Sequence, residues 1–213
     1  MKRPLTIAAA IAVSIALAGC GGSKDDNKSE ATATTHAKAT TTTINAAAAA
    51  AAAALEPKLI KTVPAGYKQE ADDVGDTGPS DLDKAVRDDG GDSDARAVLT
   101  RDGFVAGYQR YWTKGDNEII DFIYQFSNPT GANDYFQRFI ASANEPDEGT
   151  TVTEFAVTGI PGAKGYALHS SDGDSALIAF TRGNYQSQVV LNGTDANQAN
   201  AQSLAKQQYD NLA

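Results

Sequence analysis

His169 is followed at once by Ser170, Ser171 and Asp172, which offers the side-chain types of a nucleophile, its base and the acid that orients the base. Such a set works only where three groups converge in space, each in its own role. Consecutive residues at the end of a strand do not converge, so His169 is expected as a strand-end histidine. No Gly-x-Ser-x-Gly, Ser-x-x-Lys, His-Glu-x-x-His or phosphate-binding loop occurs in the chain. The run Asp88-Asp89-Gly90-Gly91-Asp92-Ser93-Asp94 gathers the carboxylates that a hard cation needs. Asp89, Asp92 and Asp94 are a weak Ca²⁺ candidate set. Their spacing misses the EF-hand pattern, and a solvated loop ending in a helix cap is the expected alternative. Asp172 and Asp174 suit a hairpin turn. Glu145, Asp147, Glu148 and Glu154 would serve glycosidic cleavage only at a defined separation in a sugar-sized cleft; a solvated helix end accounts for them as well. Nothing calls for a cofactor. The aromatic positions are the best remaining clue. Tyr108, Arg110, Tyr111 and Trp112 fall on one strand, and an exposed aromatic beside an arginine suits a sugar or peptide ligand. Core aromatics with hydroxyls at the rim are the competing reading.

One side chain does carry a specific chemical signal. Cys20 is the single cysteine, and Leu17-Ala18-Gly19 precedes it. Lys2 and Arg3 are followed by an apolar run, Ile7 to Ala18, broken only by Ser14. This is the three-part layout of a secretory signal ending in a lipobox. Small residues at positions 18 and 19 let a protease reach the backbone, and the thiol of Cys20 forms a thioether with a diacylglyceryl group. The apolar run is shorter than the roughly 20 residues a permanent membrane helix needs. Two long acyl chains at about 0.8 kcal/mol per buried CH₂ hold on the order of 20 kcal/mol. A lipid-anchored chain on the outer face of the cytoplasmic membrane is therefore expected, and a lone cysteine excludes a disulfide scaffold.

The expected organisation has three parts: residues 1–19 as the signal peptide, 20–55 as a lipidated low-complexity tether, and 56–213 as one domain. The tether is rich in Thr and Ala and ends in alanines from Ala46 to Ala54. It has too little apolar surface to offset its ordering entropy, and a helix as short as Ala46 to Leu55 is marginal by itself in water. The net charge is −9, and removing Lys2 and Arg3 takes it to −11. Such a chain is repelled by nucleic acid and by anionic head groups.

The elements that must place these side chains read as strands and helices in an order without βαβ alternation. Ser80 and Asp94 each suit the start of a short helix. From Gly103 to Trp112 the residues alternate as a strand, Lys114-Gly115-Asp116-Asn117 is its turn, and Ile119 to Phe126 is its hairpin partner. Asn128 as cap and Pro129 as first residue open a helix with Ala132, Tyr135, Phe136, Phe139, Ile140 and Ala143 on one stripe. Thr151 to Val157, Gly165 to His169, Ala176 to Phe180 and Tyr185 to Leu191 follow as strands, with Gly183-Asn184 as a tight turn. Asp195 opens a final amphipathic helix. The fold class expected is α+β: an antiparallel sheet of about six to seven strands with helices packed on it.

The segments Gly103 to Trp112, Phe126 to Tyr135, Ile160-Pro161-Gly162-Ala163-Lys164-Gly165-Tyr166 and Ala179 to Tyr185 resemble a family of uncharacterised actinobacterial lipoproteins. The layout is also similar to PsbP-like sandwiches. The resemblance covers most of residues 60 to 213 and carries no catalytic residues. Location, tether and the missing catalytic set point to a non-catalytic envelope module whose ligand is a wall component, a lipid or an envelope protein. A hydrolase acting on wall polymer or peptide through unrecognised carboxylates is the alternative.

Overall fold

The computed structural model describes residues 46–72, 77–89, 93–146 and 148–213. Cys20, the signal segment and the Thr-rich tract lie outside the described residues, as do Asp92 and Asp147. The core is an antiparallel sheet with helices on both faces, so the α+β expectation holds. In chain order the elements are α1 (Ala46–Ala53), β1 (Lys68–Gln69), β2 (Gly78–Ser80), α2 (Leu82–Asp88), α3 (Ser93–Arg101), β3 (Phe104–Lys114), β4 (Asn117–Phe126), α4 (Pro129–Ala143), β5 (Thr151–Phe155), β6 (Lys164–Ser170), β7 (Gly173–Arg182), β8 (Tyr185–Asn192) and α5 (Gln198–Asn211). The sheet has eight strands in the order β1-β3-β4-β8-β7-β6-β5, and β2 also pairs with β3. Six to seven strands were expected. The surplus comes from β1 and β2, pieces of two and three residues that share the outer side of β3 and are too short to show alternation.

Side chains alternate between the two sheet faces, and the register fixes which face each takes. The inner face carries Tyr108, Arg110 and Trp112 opposite Ile123, Asp121 and Ile119, then Val189, Leu191, Ile178 and Phe180. Ala201, Leu204 and Ala205 of α5 close it, together with Ala52, Leu55, Leu59 and Ile60. The outer face carries Phe122, Tyr124 and Phe126, closed by Ala85, Leu99, Ala132 and Tyr135 of α2, α3 and α4. A register shift between Phe104 and Ala106 turns Phe104 to the outer face, against Tyr124 and Phe126. Simple alternation would place Phe104 with Tyr108; the bulge supplies the extra residue that breaks the parity.

The alanine run differs from its expected place in the tether. Ala46–Ala53 is a helix with Ala52 fully buried, and Leu55, Leu59 and Ile60 continue inward from it. A short helix that is marginal alone is held here by tertiary burial, at roughly 2 kcal/mol for each Leu or Ile. Among the described residues packed structure therefore reaches back to Ala46, ten residues before the expected boundary at 56. Two caps also move. Asp81 rather than Ser80 caps α2 by accepting from the Lys84 amide, and Asn197 rather than Asp195 caps α5. Asp195 instead takes the ammonium of Lys114 at 2.9 Å, which holds its carboxyl below the usual range. Asn128 and Pro129 open α4 as the sequence predicts.

Candidate functional site

Where α2, α3 and α4 end, the outer face of the sheet continues without them. Two rows of side chains cross it there. The first runs Tyr111, Ile120, Val190, Leu177 over β3, β4, β8 and β7, each directly opposite the next. All four are half-buried, and none belongs to either core cluster. Tyr166 and Glu154 continue the row on β6 and β5, and Phe139 of α4 meets the Tyr166 ring at 6.3 Å to form its wall. Glu70, just past β1, begins it: its amide bonds the Tyr111 carbonyl at 2.9 Å.

The second row is polar. Thr113, Glu118, Asn192 and Ser175 lie opposite one another on the same four strands. The Ser175 hydroxyl donates to Asn192 Oδ1 at 2.8 Å, Asn192 Nδ2 donates to Glu118 Oε2 at 2.9 Å, and the Tyr111 hydroxyl donates to Glu118 Oε1 at 2.5 Å. Thr113 hydrogen-bonds to Glu70 Oε1 at 2.5 Å. Burial, the bond to Glu118 and the nearby charges of Glu118 and Glu70 push the Tyr111 hydroxyl well above its ordinary pKa, so it stays a donor. Glu118 is only 9 % exposed and its partners are all neutral. The ladder fixes a negative charge in one orientation beside an aromatic ring. Two of the carboxylate's roughly four lone-pair sites are used, which leaves room for a ligand's donors.

The sequence-predicted ligand set separates across the sheet. Tyr108, Arg110 and Trp112 face inward and are covered; only Tyr111 reaches the open half. Tyr108 donates to Asp72 at 2.7 Å, and Arg110 donates to Glu56 at 2.9 Å. Covered by α1 and the segment after it, these three offer no exposed platform. Beside Arg110, Asp121 is fully buried and accepts from the Ile60 amide at 2.6 Å. Burial raises its carboxyl to about 7 against the opposing pull of that amide and of Arg110.

Of the Ca²⁺ candidates, Asp89 and Asp94 are among the described residues. Asp89 pairs with Arg138 and accepts from the Tyr135 hydroxyl at 3.3 Å, Asp94 sits in the first turn of α3, and Asp92 lies outside the described residues. Among the described residues no three His, Cys, Asp or Glu side chains are grouped to hold a metal ion. His169 lies on β6 as a mostly exposed residue and meets Asp174 at 2.5 Å, beside a surface depression of about 360 Å³ near the start of α5. Ser170 bonds the Gly173 carbonyl and Ser171 bonds Asp172, so the serines do not turn to the imidazole. Glu154 pairs with Lys164 at 2.5 Å.

Sequence reasoning missed Glu118, Asn192 and Ser175. Each lies near the end of a strand, and only the register brings the three together across strands far apart in the chain. The alternation of β4 did carry a signal, since Ile120 has the parity of Phe122 and Tyr124.

No known family's sequence profile matches the chain, and no curated protein matches it. Similar solved structures include two from mycobacteria. The extracellular domain of PknH from Mycobacterium tuberculosis has a TM-score of 0.45 and 12% identity, over 68% of this chain and 81% of that one. An uncharacterised protein from Mycobacterium smegmatis has a TM-score of 0.34 and 10% identity, over 74% and 83%. Both neighbours are mycobacterial. At these scores no residue role transfers from either. Among the described residues no helix is long and apolar enough to cross a membrane.

Proposed function

We propose that this chain is a lipid-anchored, extracytoplasmic, non-catalytic module that binds an envelope partner through the open half of its outer sheet face. The observation that carries the reading is the half-buried row Tyr111-Ile120-Val190-Leu177, which lies outside both core clusters beside a completed polar ladder. A sheet face in water normally alternates apolar-in and polar-out. Here both faces carry apolar side chains, and the outer-face row Tyr111-Ile120-Val190-Leu177 lies outside both core clusters. The ladder argues for a held surface rather than a reacting one. Glu118 is tied by two neutral donors, which hold it as a fixed acceptor. The anchor rests on the Leu17-Ala18-Gly19-Cys20 motif, with residues between it and α1 as spacer.

The test uses the mature chain with Cys20→Ser, which removes the acyl group, mixed with the envelope fraction of the producing cell. The chain is expected to sediment with envelopes, and Ile120→Asp is expected to leave it in the supernatant. Equal sedimentation of both would overturn the assignment of this face.

A further inference from the structure

Two carboxylates on this face, Glu118 and Glu70, have no partner of opposite charge among the described residues, and that indicates what the face takes. Buried charges in proteins are normally paired with a counter-charge. Glu118 is 9 % exposed, yet among the described residues no Lys, Arg or His lies within ion-pair distance of it. Glu70 stands two strands away, and its carboxylate is held by the hydroxyl of Thr113 rather than by a cation. The Tyr111 ring lies between them, and both carboxylates act on its hydroxyl. Two uncompensated carboxylates flanking a half-buried aromatic ring are a receptor for an ammonium or guanidinium group.

The apolar row sets the rest of the partner. From Tyr111 to Leu177 it spans three strand spacings, about 14 Å. The polar row runs parallel to it, about 7 Å further toward the β3–β4 turn. A helix rising about 1.5 Å per residue covers that length in about ten residues. Helices already pack on the rest of this face, so the missing layer has the shape of one more helix. We infer that the open half of the outer face docks a basic amphipathic helix of a partner protein, its apolar stripe on Ile120, Val190 and Leu177 and its Lys or Arg between Glu118 and Glu70. The inference rests on the binding reading above and adds the class of partner; the chain's net charge of −9 favours the same sign of partner.

The test measures fluorescence anisotropy of the mature chain carrying Cys20→Ser with a labelled helical peptide of about fourteen residues. The peptide has leucines at helical spacing and lysines at one end; two controls replace the lysines with glutamine or glutamate. The lysine peptide is expected to bind about tenfold or more tightly than the glutamine peptide, and to weaken as salt rises. Glu118→Gln is expected to remove most of that preference. Glu70→Gln, at a less buried position, reports on the same charge if Glu118→Gln perturbs folding. If lysine and glutamine peptides bind alike and Ile120→Asp abolishes both, the face binds but the cationic assignment is overturned. If the lysine peptide binds regardless of Glu118→Gln, Glu70→Gln and Ile120→Asp, its contact lies elsewhere and the inference fails. Binding of no peptide also overturns it, and so does self-association of the chain that Ile120→Asp abolishes.

Discussion

Replacing Asp121 by Asn should change how the stability of this domain depends on pH. Asp121 lies on the inner face of β4, fully buried, where its Oδ2 accepts from the Ile60 amide at 2.6 Å. Arg110 is directly opposite on β3 but spends its guanidinium on Glu56 at 2.9 Å, so Asp121 gets a nearby charge without an ion pair. Burial dominates and raises the carboxyl from 3.8 to about 7. The native state therefore holds this proton more tightly than the unfolded chain does. Stability from this group is complete below the unfolded pKa near 4 and is lost as pH rises to the native value near 7. A shift of about three pKa units at about 1.4 kcal/mol each gives a loss on the order of 4 kcal/mol between pH 4 and pH 8. Asn keeps an acceptor for the Ile60 amide and does not titrate. Urea unfolding followed by the fluorescence of Trp112, the chain's one tryptophan and a buried one, measures both proteins across that range. The difference between variant and wild type should move by about 4 kcal/mol in favour of Asn as pH rises. A difference constant to within about 1 kcal/mol from pH 4 to 8 would refute the reasoning, because it would mean that Asp121 ionises as it does in water.

Three further outcomes are expected. Gly131→Ala should destabilise the domain by about 3 kcal/mol or more in the same unfolding assay, because the added Cβ would sit 1.8 Å from the Asp102 carbonyl oxygen. Deleting residues 46–55 should lower stability by about 3 kcal/mol through loss of the buried Ala52 and Leu55, whereas a tether would be deleted without effect. Cys20→Ser should move the chain from the membrane fraction to the soluble fraction of the cell, because it removes the acyl chains that the proposed anchor requires.

The parts of the fold legible in the sequence are those where local chemistry and long-range packing agree. Asn128 and Pro129 specify the start of α4 whatever packs on it, and Gly115 and Gly183 mark tight turns by their positive φ. The alanine run went the other way. Its propensity and length give a marginal helix, and what holds it is the groove it fills above Tyr108 and Trp112, which no local window contains. The same holds at Val105, where a single bulged residue turns Phe104 to the opposite face.

The candidate site was legible only as Tyr111, one of four aromatic-strand positions singled out, and the other three proved to be inward. The reason is geometric. A polar ladder such as Ser175-Asn192-Glu118-Tyr111 is built from register, with Asn192 and Glu118, which bond directly, 74 positions apart in the chain. Sequence periodicity assigns faces within one strand but does not say which strands are neighbours. Nor does it say where a helix layer ends. The bare patch is defined by the point at which α4 turns away with Phe139 on Tyr166, which is a property of packing alone.

The central claim is that the bare half of the outer face is where this chain meets its partner. The most direct measurement places a photo-cross-linking residue at Ile120 in the acylated, full-length chain and irradiates intact cells. The same residue at Val105, which is 38 % exposed on β3 away from the open rows, serves as the control. The account predicts one discrete adduct from position 120 that is absent from position 105 and lost when Glu118→Gln is added. Adducts from both positions alike, or none from position 120, would contradict it.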